Sequence, residues 1–178
     1  MRPDRTMEAR PPLRTIPDFP RPGINFIDIT PWVQDGRSFH AAIEELAAFA
    51  GPLGVELVAG PEARGFIVGA PLALALGVGF APVRKPGRLP YDTIRADYQL
   101  EYGEASLEMH VDAVRPGQRV LVVDDLLATG GTVSATIGLI EREGGLVAGI
   151  GFLVELGFLF GREHLPRLPI HSVLRLEA

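Results

Sequence analysis

Two adjacent carboxylates, Asp124 and Asp125, follow four β-favouring aliphatics, Val120 to Val123, and precede a run of small and hydroxylated residues, Ala128-Thr129-Gly130-Gly131-Thr132. The pattern reads as a buried strand, a loop at its carboxyl end and a helix over Val133 to Glu143. Open α/β sheets bind their ligands at that end of a strand. Backbone N–H groups at a helix N-terminus, joined by the hydroxyls of Thr129 and Thr132, suit a phosphate monoester. The two aspartates would repel a phosphate and need a different partner. A vicinal diol donating hydrogen bonds to them, alone or with Mg²⁺, fits best. Phosphate on one side and diol on the other describe a ribose 5-phosphate site.

Two plainer readings compete. Asp-Asp after an apolar strand could be the Mg²⁺-holding end of a P-loop ATPase, but that requires a G-x-x-x-x-G-K-[ST] loop and the chain has none. The loop could also be an ordinary glycine-rich turn with a Thr cap. The thirteen-residue pattern from Val120 to Thr132 is too specific for that.

The elements that must position these residues emerge from the rest of the chain. Its 178 residues suit one domain, here 15–178, and 47% apolar with 22% charged residues is ordinary globular composition. A net charge of −5 argues against a sequence-independent grip on nucleic acid, so phosphate binding must come from local loops. Without cysteine there is no disulfide, thiol nucleophile or zinc–thiolate site. Residues 1–14 carry Arg2, Arg5, Arg10 and Arg14 with several prolines, which predicts a disordered tail rather than a secretory signal. Phe66 to Val83 is uncharged over eighteen residues, near the length of a membrane span. Pro71, Pro82, Gly69, Gly77 and Gly79 punctuate it, so it reads as a buried helix (66–76) followed by a buried strand (79–83).

Alternation organises the remainder. Residues 16–31 form a proline-punctuated arm. Ser38 to Ala50 reads as an amphipathic helix with Ser38 as cap. Strands follow over 55–59, 79–83, 119–123 and 147–153, with helices between them, which predicts an α/β fold with a mostly parallel twisted sheet flanked by helices. Residues 84–111 break the rhythm and read as a mobile flap plus antiparallel ribbon. The four histidines, His40, His110, His164 and His171, lack ligand spacing and are expected to be packing residues, and Asp28 to cap the turn before Thr30-Pro31.

The run Val122-Val123-Asp124-Asp125-Leu126-Leu127-Ala128-Thr129-Gly130-Gly131-Thr132 resembles the phosphoribosyl-pyrophosphate motif of type I phosphoribosyltransferases, in the version found in their adenine-specific branch. Further segments agree in order: 17–23, Asp28 to Pro31, Ala59-Gly60 leading to Arg64-Gly65-Phe66, Arg84-Lys85, Leu100-Glu101-Tyr102-Gly103 and Val154-Glu155-Leu156. The resemblance covers about Ile16 to Leu176. It implies the type I phosphoribosyltransferase fold with a flap and an N-terminal hood. It also implies an enzyme of purine salvage that joins adenine to 5-phosphoribosyl 1-pyrophosphate, yielding AMP and pyrophosphate. Mg²⁺ would arrive with the substrate rather than on protein ligands. A cytoplasmic homodimer, with no nucleic-acid or membrane partner, completes what it implies.

Residue by residue, Asp124 and Asp125 would hold the ribose hydroxyls, while Ala128, Thr129, Gly130, Gly131 and Thr132 wrap the 5-phosphate. Arg64, in the loop after a buried strand, would meet the pyrophosphate with its planar fork. Lys85 and Arg88 would assist it from the flap. Glu101 would act as the acid/base partner of the purine imidazole, and Tyr102 would close over the pyrophosphate side. Asn25, Phe26 and Ile27 would meet the base from the arm, and Leu156 would cover its other face. Two departures stand out. Glu62-Ala63 precedes Arg64 where relatives often have a serine, and Ile27 stands where they often have a basic residue. The second leaves room for an alternative base, hypoxanthine, guanine or xanthine. A non-catalytic regulator that binds the phosphoribosyl ligand is the alternative from another class. About fourteen residues precede the resemblance, too few for a helix-turn-helix.

Overall fold

Pro17, Pro20 and Pro22 keep the arm out of a helix, because each lacks the N–H a helix requires. The computed structural model describes residues 12–100 and 103–177. Compact packing divides them between Ala42 and Ile43. In the first unit, β1 (Arg14–Ile16) pairs antiparallel with β2 (Phe26–Asp28), Thr15 facing Ile27. Asp18 organises the intervening turn by accepting a hydrogen bond from the Gly23 N–H at 2.7 Å. The Asp28 carboxylate accepts from the Thr30 N–H at 2.9 Å, the capping role expected of it, and opens α1 (Thr30–Gln34).

Helix α2 (Gly36–Ala50) begins two residues before the expected Ser38. Asp35 caps it instead. Its side chain accepts from the Arg37 N–H at 3.2 Å and from the Ser38 hydroxyl at 2.6 Å. Both residues belong to the cap-forming class, and the longer helix decided which one served.

The second unit holds β3 (Leu57–Pro61), α3 (Arg64–Leu76), β4 (Gly79–Val83), β5 (Thr93–Leu100), β6 (Gly103–His110), β7 (Arg119–Leu127), α4 (Gly131–Arg142), β8 (Leu146–Leu156) and β9 (Ile170–Leu176). Five strands form one parallel sheet in the order β4-β3-β7-β8-β9. Val120 to Val123 and Phe152 to Val154 are entirely buried, as a parallel sheet covered on both faces requires. From β3 the chain steps outward to β4, then crosses back to lay β7 on the other side of β3. Strand order reverses there, and adjacent loops part at the strands' carboxyl ends to leave a crevice.

The strand ends differ from expectation in three places. Strand β3 covers Leu57–Pro61 rather than 55–59, because its parallel pairing with β4 starts at Leu57 and reaches Pro61. Strand β7 does not stop at Val123 but runs through both aspartates, with Leu126 opposite Val154 and Leu127 opposite Glu155. Strand β8 is itself longer than 147–153, and its pairing with β7 as far as Glu155 carries β7 past its aspartates. Strand β9 was not anticipated. It is an edge strand carrying His171, Ser172 and Arg175, so its apolar pattern is diluted, and pairing with β8 supplies what its own sequence does not. The expected ribbon is β5 paired to β6, and its root is core: Leu107 and Met109 are buried with Val120 and Ile140.

Candidate active site

The carboxyl ends of β3 and β7 bring Arg64 beside Asp124 and Asp125. Helix α3 starts at Arg64, three residues after β3 ends, and the Glu62–Ala63 peptide between them is cis. Arg64 places its Nε 3.1 Å from Oδ2 of Asp125, which lies near the end of β7. Gly65 lets the helix approach this closely. A Cβ there would lie 2.9 Å from the Pro61 ring and 3.1 Å from Oδ1 of Asp124.

The two aspartates differ in setting. The Asp125 side chain is 3% exposed, and its Oδ2 is buried with no hydrogen bond among the described residues. Asp124 is half-buried, and its Oδ1 accepts the Asp125 N–H at 2.9 Å. Burial raises both carboxyls above the ordinary carboxylate range, Asp124 further, where the Asp125 charge adds to it. Arg64 opposes the shift on both. A half-buried Asp124 beside a buried, Arg64-paired Asp125 is suited to receive hydroxyl donors from a ligand.

Beyond β7, Ala128 to Gly130 turn into α4, and Gly130 adopts φ +89° at the N-cap. Thr129 is exposed and Thr132 half-buried, at the helix end whose N–H groups have no intrahelical acceptor. That end attracts anions. The segment 157–165 backs the loop, which the sequence reading missed. Gly161 packs so tightly that a Cβ would fall 2.0 Å from the Ala128 carbonyl oxygen. Nδ1 of His164 lies 3.2 Å from the Thr129 carbonyl oxygen.

Of the flap cations, Arg84 is structural. Its Nε donates to Glu62 at 2.6 Å and its guanidinium to the Arg88 carbonyl at 3.1 Å, tying the loop before Arg64 to the start of the flap. Thus Glu62 serves as an anchor, while Ala63, directly before Arg64, offers no hydroxyl. Lys85 and Arg88 are exposed, with no side-chain partner among the described residues. Glu101 and Tyr102 lie outside the described residues. In the arm, Asn25 is exposed while Phe26 and Ile27 are half-buried, and Phe26 meets Phe19 edge-on at 5.1 Å. Leu156 is buried at the end of β8.

Glu155 carries no predicted role in the run Val154-Glu155-Leu156. It is 3% exposed and held by Arg162 through two guanidinium contacts, at 2.5 and 3.1 Å, and by the Ser172 hydroxyl at 2.6 Å. Burial alone would raise its carboxyl, but hydrogen bonds from Arg162 and Ser172 with the charges of Arg162 and Arg175 outweigh it and hold the group below its ordinary value. Nothing in the local pattern marks a partner seven residues on. Of the histidines, His171 pairs with Glu45 at 2.7 Å and stacks on Phe49.

Residues 33–164 match the family of the phosphoribosyl transferase domain. An adenine phosphoribosyltransferase of Brevibacillus brevis is 54% identical over 169 residues, 95% of this chain and 99% of the relative. The crystal structure of adenine phosphoribosyltransferase from Thermoanaerobacter pseudethanolicus superposes with a TM-score of 0.90 at 55% identity, covering 92% of this chain and 95% of the other. The adenine phosphoribosyltransferase of Saccharomyces cerevisiae, solved with an imino-altritol bisphosphate and adenine, matches with a TM-score of 0.85 at 38% identity, over 91% and 94% of the two chains.

Proposed function

We propose, from the premise that this chain belongs to the phosphoribosyl transferase family, a residue-level account of how it converts adenine and 5-phosphoribosyl 1-pyrophosphate to AMP and pyrophosphate. The observation that carries the account is the Asp124–Asp125 pair, half-buried and buried, set between Arg64 and the small-residue loop that opens α4. Each flank answers one demand of the substrate.

The bond from the anomeric carbon to pyrophosphate breaks as the bond from that carbon to a ring nitrogen of adenine forms. Positive charge develops on the sugar and negative charge on the leaving group, so positioning and electrostatics supply most of the acceleration. Asp124 and Asp125 accept hydrogen bonds from the ribose 2- and 3-hydroxyls and favour the cationic sugar. Ala128 to Thr132 hold the 5-phosphate through backbone N–H groups and the two threonine hydroxyls. Arg64, only partly buried, turns its fork to the departing pyrophosphate, and Lys85 and Arg88 close from the flap with Tyr102. Glu101 takes the proton that the imidazole ring of adenine must lose, an effect of typically about 10²–10⁴-fold. Asn25, Phe26 and Ile27 meet the base from the arm, and Leu156 covers its opposite face.

Carboxylate oxygens are hard donors, and the buried Oδ2 of Asp125 accepts no hydrogen bond among the described residues. Asp124 and Asp125 would fit a Mg²⁺ ion carried by the substrate phosphates. When bound, Mg²⁺ neutralises charge on the leaving pyrophosphate. A cytoplasmic homodimer is part of the proposal. Helix α3 supports the dimer because it exposes the apolar Ile67 and Leu74, 40% and 83% accessible. Among the described residues no helix is long and apolar enough to cross a membrane.

The experiment is pyrophosphate release with Mg²⁺ and phosphoribosyl pyrophosphate, run in parallel with adenine, hypoxanthine, guanine and xanthine. Release with adenine alone is expected. Equal turnover of the four bases would overturn the assignment of the arm as the base reader. Ligand binding without release would overturn the catalytic roles.

A further inference from the structure

A phosphate-binding loop of small residues has few side chains of its own to fix its shape. Ala128, Thr129 and Gly130 lean instead on residues 157–165. The Ala128 carbonyl occupies the space a Gly161 Cβ would need, and a Cβ on Gly130 would lie 2.9 Å from the Gly161 carbonyl oxygen. His164 adds its ring nitrogen at the Thr129 carbonyl, and Leu165, nearly buried in the core, lies 3.4 Å from the same Gly130 position. Contacts this close transmit displacement, because packed interiors deform little.

The supporting turn needs its own anchor, since Phe158 and Phe160 in its first half are exposed. That anchor is Arg162. It forks onto Glu155 in β8 and reaches the Ile170 carbonyl and Ser172 hydroxyl of β9, both at 3.4 Å. Glu155 is buried and paired with Leu127 of β7 and Arg175 of β9, so the fork fixes the turn against the sheet whose β7 carries the aspartates.

We infer that Arg162, acting through Glu155, is a positioning residue that holds the 157–165 turn as a backstop for the 5-phosphate loop, a role that rests on the reading of Ala128 to Thr132 as that loop. Its loss lets the turn recede and loosens the loop, which weakens binding of the phosphoribosyl substrate. The base and the chemical step, served by other residues, are spared.

The test compares Arg162→Lys, Glu155→Gln and Gly161→Ala with a direct loop variant, Thr132→Ala, in steady-state kinetics and thermal unfolding. Lysine keeps the charge but lacks the fork. Glutamine keeps the shape and one acceptor, so it should lie between lysine and the parent, and it decides the matter if Arg162→Lys does not fold. Gly161→Ala pushes on the Ala128 carbonyl while the ion pair stays intact. The expected result is a KM for phosphoribosyl pyrophosphate raised on the order of ten- to a hundredfold by Arg162→Lys and Gly161→Ala, with kcat and the adenine KM unchanged. If Thr132→Ala raises that KM while Arg162→Lys, Glu155→Gln and Gly161→Ala only lower the melting temperature, the backstop role is overturned and the loop reading stands. If Thr132→Ala leaves it unchanged, the loop reading itself fails and the positioning role with it.

Discussion

Replacing Asp125 with Asn separates what this carboxylate does for the fold from what it does for the reaction. Its side chain is 3% exposed, and its Oδ2 has Arg64 Nε at 3.1 Å but no hydrogen bond among the described residues. Burial raises its carboxyl, and raises Asp124 further with the Asp125 charge beside it. A group whose folded pKa lies above its unfolded value contributes stability that is fully present below the unfolded value, here 3.8, and lost as pH rises through the folded one. The folded parent therefore carries an electrostatic cost that grows with pH as the pair ionises. Asn has the same shape, can turn its carbonyl oxygen to Arg64, and removes one charge. Arg64, with its side chain 44% exposed, stays solvated. The expected gain is about 0.5–2 kcal/mol, typical of relieving a destabilised active site. For a chain of this size each kcal/mol raises the melting temperature by about 2–4 °C. The reaction moves the other way. Losing a charge-assisted hydrogen bond to a ribose hydroxyl costs about 1.5–3 kcal/mol, so kcat/KM falls roughly ten- to a hundredfold or somewhat more. Urea unfolding of both proteins across pH about 4 to 8, with pyrophosphate release on the same samples, measures both effects. The stability gap should widen as pH rises. A variant less stable at neutral pH, or a gap independent of pH, would refute the electrostatic reasoning, and an unaltered kcat/KM would refute the role at the ribose.

Arg64→Ala should lower kcat by about 10²–10³-fold in the same release assay, as loss of one preorganised donor to developing charge does; little change in kcat would point to Lys85 and Arg88 as the principal pyrophosphate ligands. Gly65→Ala places a methyl 2.9 Å from the Pro61 ring and 3.1 Å from Oδ1 of Asp124. It should destabilise by about 1–3 kcal/mol in denaturant unfolding and displace Asp124, so activity falls with stability. Removing Mg²⁺ with EDTA should abolish release while leaving the melting temperature of the substrate-free protein unchanged, as the proposed entry of the ion with the substrate requires. A lowered melting temperature would indicate a resident structural metal instead.

Local pattern alone specified the chemistry at one strand end. Four aliphatics, two aspartates and a run of small hydroxylated residues announce a strand, a charged edge and a helix N-terminus, because burial, turn formation and capping each act over a few residues. The alternation that predicts a parallel sheet was legible for the same reason. Only the tertiary structure decided what lies beside what. Strand β7 lies next to β3 although some sixty residues separate them, and that crossover brings Arg64 to Asp125. The reach of β7 past its aspartates and the existence of edge strand β9 depend on pairing with β8, which no window of sequence contains. The burial of Glu155 between Arg162 and Ser172, and the contact of Gly161 with Ala128, are likewise products of packing. Residue types fix which bonds a group can make, but the partner that completes a buried charge or a bare loop comes from distant chain, and only folding brings it near.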